Sequence, residues 1–293
     1  MKIVTHSGSF HQDELFAVAA LMFIFPEAEV VRTRDDEVIR KADIAVDVGG
    51  IDNEEKDRFD HHQEGGAGKR MNGIPYASFG LVWKKYGTII SKSPKVADLV
   101  DKKMVQPIDG ADCGYMLYKP THTQVSPYLF DNVLNALTPT WRDKETIDET
   151  FFELLPFAQI ILKKEIEKAQ YFFEDIEEVK KAYRNATDKE IILLEHSYPW
   201  KSIISNHKEP LFVIHPDQNT GEWVIACIKK NPRSPEYRML LPQSWAGKKK
   251  QFLADVTGVK DAEFCHNKRF IAKAWSKEGA IAMAKLALTN PGF

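Results

Sequence analysis

The sequence predicts an α/β protein, with a parallel sheet covered by helices on both faces and a smaller C-terminal α/β domain. Three observations carry this. Short β-branched runs alternate with helical stretches over residues 2–59, the rhythm of a parallel sheet. Apolar residues at three- and four-residue steps fill 146–183 and separate two halves. Beyond them, strand-like runs resume around a polar turn. The chain has 293 residues, more than one domain usually holds, so two are expected. We set them at 1–142 and 187–293, with 143–186 as a linking helical segment.

The elements follow in order. Lys2–Thr5 reads as a strand running into the loop His6-Ser7-Gly8-Ser9. From Gln12 the chain turns helical. Asp13-Glu14 suits the positive end of that helix, Leu15–Phe25 is apolar on all sides, and Pro26 closes it. Glu29–Arg34 is a second strand, Asp36–Lys41 a short helix or turn, and Asp43–Val48 a third strand. A further hydrophobic step comes at Phe59. Gly65–Gly68 reads as a flexible connector, since its spacing does not make a Walker loop. Ser78–Gly87 and Val96–Val105 are helices, and Gly110 marks a tight bend after Asp109. The long stripe, with Phe151, Leu162 and Val179 among its members, reads as one helix kinked at Pro156. Ile191–Glu195, Leu211–Ile214 and Glu222–Lys229 are strands, the last two joined by a hairpin turn at Asp217–Gly221. Gly279–Leu288 closes the chain as a helix.

Composition narrows the function. With 43% apolar and 28% charged residues the chain has a full core, and its net charge of −2 does not suit a protein that coats nucleic acid. A phosphate-bearing ligand must therefore meet a local basic patch or metal. Cys113, Cys227 and Cys265 are odd in number and far apart, which argues against a disulfide framework or zinc ribbon and for a reducing compartment. The apolar run is shorter than the about 20 residues a bilayer requires, and no basic leader precedes it. Cytoplasm is the expected location, with no membrane partner.

In parallel sheets, ligands sit beyond the carboxyl ends of the strands. His6 follows the first strand, Asp47 ends the third, and Asp60-His61-His62 follows Phe59. Of Asp109 and Asp112, one is placed to complete a site there. Each residue also has a plain structural reading. Asp13 could be a first-turn charge, Asp47 and Asp112 turn residues, His6 a core histidine. Together they favour a divalent-metal site, because hard oxygen and borderline nitrogen donors gather at strand ends. Lys69 and Arg70 are candidates to swing toward a phosphate.

With these residues in hand, the chain resembles the DHH phosphoesterase superfamily, and more closely the melanocyte proliferating gene family of proposed metal-dependent hydrolases. The resemblance rests on 5–14 (THSGSFHQDE), 30–34 (VVRTR), 46–50 (VDVGG) and 59–63 (FDHHQ). Further matches lie at 137–141, 198–201, 212–214 and 277–280. It implies one metal on His6 and His11, a second on Asp13, His61 and Asp109, and Asp47 bridging them. It also implies that Asp60 stands behind the histidines as an orienter or extra ligand, while His62 faces the scissile phosphate. The wider superfamily has an aspartate where His11 stands, and its glycine- and histidine-rich substrate loop corresponds here to Phe270–Trp275.

Two divalent ions roughly 3.5–4 Å apart would activate a shared water and clamp phosphoryl oxygens. Mixed His and Asp ligation suits manganese better than magnesium. Arg233, Arg238 and Lys273, among aromatic neighbours in the C-terminal half, are candidates to meet a nucleic acid backbone, or else belong to a solvated face. The expected activity is a 3′-to-5′ exonuclease on RNA or short oligonucleotides. The alternatives are a phosphatase for small nucleotides or pyrophosphate, and a non-catalytic metal- and RNA-binding regulator. Oligomeric state is open, with a homodimer among the options.

Overall fold

The computed structural model describes residues 1–119, 121–122, 124–231 and 234–289. It is a mixed α/β structure with two five-stranded sheets, and the chain divides into two compact units, 1–170 and 171–293.

The first unit contains β1 (Lys2–Thr5), α1 (Gln12–Leu21), β2 (Glu29–Arg32), α2 (Asp36–Lys41), β3 (Ile44–Val46), β4 (Asp52–Asn53) and β5 (Arg58–Phe59). It continues through α3 (Ser78–Ser91), α4 (Pro94–Val100), α5 (Gln106–Asp112), α6 (Phe130–Leu137) and the 39-residue α7 (Ile147–Asn185), inside which the division between units falls. The sheet order is β2-β1-β3-β5-β4, parallel except for the short edge strand β4. Side chains alternate along a strand, so neighbouring residues serve opposite faces. Val4 and Ala45 pack with Ile39 and Ala42 from α2 and its end, whereas Ile3, Ile44 and Val46 point the other way and are equally buried. Both faces are covered, as expected of a parallel sheet.

Two details differ from the sequence expectation. α1 stops at Leu21 rather than Phe25, because hydrogen bonds from Phe23 to Ala20 and from Ile24 to Leu21 tighten the last apolar residues into turns. Gly110 makes no bend. It lies inside α5, where a Cβ would make only an ordinary contact with Leu117 at 3.4 Å. A five-residue π turn at 101–105 joins α4 to α5.

The start of α3 explains much of the local order. A helix leaves its first N–H groups without partners, and its positive end attracts carboxylates. Asp13 accepts from the Ser78 and Phe79 N–H groups at 2.9 and 2.8 Å, and Asp109 accepts from Gly80 N–H at 2.9 Å. Two distant aspartates thus cap one helix. Gly80 is required there: a Cβ on it would lie 1.9 Å from the Asp109 carboxylate.

The second unit adds β6 (Ile191–Leu193), α8 (Lys201–Ile204), β7 (Phe212–Pro216), β8 (Trp223–Cys227), α9 (Lys250–Thr257), β9 (Ala262–Cys265), β10 (Ile271–Ala274) and α10 (Lys277–Thr289). Its order is β6-β7-β8-β10-β9, antiparallel apart from β6 with β7, and the β7–β8 pair is the hairpin read from Asp217–Gly221. Phe212 and Ile214 pack under Leu253 of α9 and Met283 of α10, while Val213 and Ile192 face Val179 and Ile204.

Candidate metal centre

Because β1, β3 and β5 are parallel neighbours, their carboxyl ends share one edge of the sheet. His6 comes one residue after β1, Asp47 one after β3, and Asp60-His61-His62 directly after β5. The strands alone therefore bring together residues more than 50 positions apart. Asp47 holds its place by donating its N–H to the Phe59 carbonyl at 2.9 Å, and its φ of 56° turns the chain sharply out of β3.

Everything in the centre refers to Asp47, which is buried. One of its oxygens lies 3.3 Å from His6 Nε2. The other lies 3.3 Å from both His61 Nε2 and His62 Nδ1, and accepts the Ser78 hydroxyl at 3.0 Å. His6 Nε2 is also 3.0 Å from buried Glu14, whose carboxylate accepts the His11 N–H. His61 Nε2 is 3.0 Å from Asp112, and its Nδ1 lies 3.6 Å from the Cys113 thiol. Asp60 holds the Gly50 N–H at 2.6 Å with one oxygen and His62 Nδ1 at 2.8 Å with the other.

The residues fit divalent metal. Three sets offer donor atoms all within 4.8 Å of one another: His6–Glu14–Asp47, Asp47–His61–His62 and His61–Asp112–Cys113. His61 Nε2 is buried between two carboxylates in a pose that makes no hydrogen bond, the attitude of an imidazole turned toward an ion. Electrostatics agree. Burial opposes a charge on His6, yet Asp47 and Glu14 outweigh it and push the ring up to about 10. Asp47 drives His62 up to about 9, against burial and with help from Asp60. Burial likewise opposes charge on His61, but Asp112 and Asp47 raise it. Asp47 itself is pulled far down, the three imidazoles overcoming its burial. Left alone, these carboxylates gather protons onto the rings, and a metal would take the place of those protons.

The expected ligands do not all converge. His6, Asp47 and His61 do. His11 is exposed, with Nδ1 3.7 Å from Asp112 and 63% of its side chain open. Asp13 is wholly buried and spends both oxygens on α3; burial, then Asp47, Asp112 and Asp109, push its carboxyl upward. Asp109 is not in the cluster. It faces Gly80 and a buried ion pair with Arg70 at 2.7 Å, and Asp112, one turn further along α5, takes the place beside His61. Asp112 is the alternative to Asp109 that the sequence left open, while Glu14 and Cys113 were not in the expected ligand set. Glu14 was readable as a helix-start charge only, and nothing local announced that it also meets His6.

The proposed substrate residues fare differently. Arg70 does not reach toward a phosphate: it is buried, paired with Asp101 at 2.9 Å and Asp109, and laid over the Tyr76 ring at 4.1 Å. Arg238 gives its guanidinium to the Pro210 and Ser205 carbonyls at 2.9 and 2.8 Å. Lys273 is tied to Asp217 and Glu222 at 2.8 and 2.7 Å. Lys69 is exposed but does not line the cleft over the centre, and Arg233 lies outside the described residues.

That cleft, about 620 Å³, is lined by His6, His11, Arg34, Asp47, Asp60 and His62 together with the two glycine-bearing loops. A cavity of about 680 Å³ beside α1 and α5 is walled by Phe16, Met104, Ile108 and Leu117, an apolar lining unsuited to an ion.

A family model labelled MYG1_exonuc and described as an uncharacterised protein family (UPF0160) matches residues 2–288. The chain belongs to the MYG1 family. Its relatives there include the MYG1 protein of Dictyostelium discoideum, 30% identical over 97% of this chain and 95% of its own length. The MYG1 exonuclease of Mus musculus is 30% identical over 99% of this chain and 85% of its own. The MYG1 exonuclease of Homo sapiens is 29% identical over 100% and 87%. No solved structure matches the chain. Among the described residues, no helix is long and apolar enough to cross a membrane.

Proposed function

We propose that this MYG1-family chain is a metal-dependent phosphodiester hydrolase, a 3′-to-5′ exonuclease on RNA or short oligonucleotides, with the two-metal arrangement of the DHH phosphoesterase superfamily. One observation carries the reading: the two oxygens of Asp47 face different histidines, as a carboxylate shared between two ions must. The exonuclease names of the mammalian relatives support a nucleic acid substrate.

His6, Glu14 and Asp47 would hold one ion, and Asp47, His61 and Asp112 the other, manganese in preference to magnesium for this nitrogen-containing donor set. When bound, such ions supply an activated water and neutralise phosphoryl charge. The chain's own residues do the rest. Asp60, anchored on Gly50, fixes the His62 ring through Nδ1, which leaves Nε2 on the opposite side of a ring that lines the cleft. With Nδ1 held by Asp60, His62 can carry a proton on Nε2 and deliver it to the departing oxygen as general acid.

Asp47→Asn tests this, because Asn tolerates a positive φ and removes only the charge. The purified variant should keep its circular dichroism spectrum and lose manganese-dependent RNA hydrolysis by at least about a hundredfold. Wild-type turnover in the variant would end the two-metal assignment.

A further inference from the structure

Two arginines hold the loop that follows β1, and they have different duties. Arg32 is buried: it donates to the Gly8 carbonyl at 2.8 Å, pairs with Asp148 and lies over the Phe151 ring at 4.5 Å. Arg34, two residues on, is exposed and lines the cleft. Its Nε donates to the Ser7 carbonyl at 3.2 Å, and Nη2 lies 3.2 Å from His6 Nδ1. Arg34 is, among the described residues, the one side chain of fixed positive charge lining the cleft. Among the described residues no carboxylate pairs with it, although the centre beside it is rich in them. A guanidinium steered at one end by a backbone carbonyl and left without an acid is built to meet an anion from outside.

We propose that Arg34 is the phosphate-binding residue of this cleft, gripping two oxygens of one substrate phosphoryl group and holding it over the metal centre. This rests on the hydrolase reading above.

The test uses the full chain loaded with manganese, titrated calorimetrically with inorganic phosphate and with AMP. Arg34→Gln should weaken both at least tenfold and raise KM for an oligonucleotide more than it lowers kcat. Arg34→Lys should recover part of the loss. Manganese affinity in Arg34→Gln should stay unchanged. Phosphate and AMP binding as tight in Arg34→Gln as in wild type, in protein that loads manganese and hydrolyses RNA, overturns this inference alone. Wild-type protein that takes up no manganese, or that takes it up and cleaves no phosphodiester, overturns the hydrolase reading and this inference with it.

Discussion

Asp109 and Asp112 stand three positions apart on α5, yet one caps a helix and pairs with Arg70 while the other faces His61. Their neutral variants should separate cleanly. Asp109→Asn leaves Arg70 with Asp101 as its remaining carboxylate and should cost about 1–3 kcal/mol in a urea melt. Asp112→Asn should change stability little and weaken manganese binding about 10–100-fold by calorimetry. Equal effects of the two on metal affinity would refute the assignment. The titrating histidines make a second prediction. In the metal-free fold His6 and His62 keep protons up to about 10 and about 9, above the ordinary 6.5. Their contribution to folding is therefore complete below pH 6.5 and drains away as pH climbs through those values. Chelated protein should melt at progressively lower temperature from pH 7 to 9, whereas manganese, which competes with those protons, should bind more tightly over the same range. A flat melting profile with chelator present would contradict this. Much of the centre could be read in the sequence, because His6, Asp47 and His61 each follow a strand and strand ends are local signals. Arg70, Arg238 and Lys273 could not. Their partners lie 28 to 56 positions away, and a basic side chain reads alike whether it ends in solvent or against a distant carboxylate or carbonyl.

At the scale of elements, α3 is where fold and site meet. Its first turn receives Asp13 and Asp109, and its first residue, Ser78, reaches Asp47. Gly→Ala inside a helix ordinarily stabilises by up to about 1 kcal/mol. Gly80→Ala should do the opposite, losing about 1–3 kcal/mol, because the added methyl falls on the Asp109 carboxylate, 1.9 Å from its oxygen. A urea midpoint unchanged or raised in Gly80→Ala would show that the cap can give way. Helices with strong periodicity were readable almost to their ends: 146–183 was expected and Ile147–Asn185 is observed, with Pro156 inside it. Gly110 misled for a physical reason. Glycine signals a turn through its freedom of φ, but here it sits in helical backbone, and no local pattern distinguishes the two.

For the whole molecule, every donor in the centre found among the described residues comes from 6–113, within the first unit. Manganese at about a hundred times its dissociation constant should stabilise by about 2.7 kcal/mol. Hydrogen exchange should show added protection along β1, β3, β5 and the start of α3, with little change in β7 to β10. Protection spread evenly over both sheets would mean that the ion is held elsewhere. The architecture of the first unit was readable because a parallel sheet announces itself by alternating element types. The second was harder, since short antiparallel strands such as β9 and β10 carry few residues and only their pairing identifies them.

The backbone at Asp47, with φ at 56°, is a twist that glycine enters freely and alanine resists. Asp47→Gly should therefore fold more firmly than Asp47→Ala by about 1 kcal/mol while being equally inert. Selection for durability alone would drift this position toward glycine, like the two that follow at 49 and 50. A protein that keeps aspartate here is forgoing that ease in exchange for a charge at the tip of its middle strand.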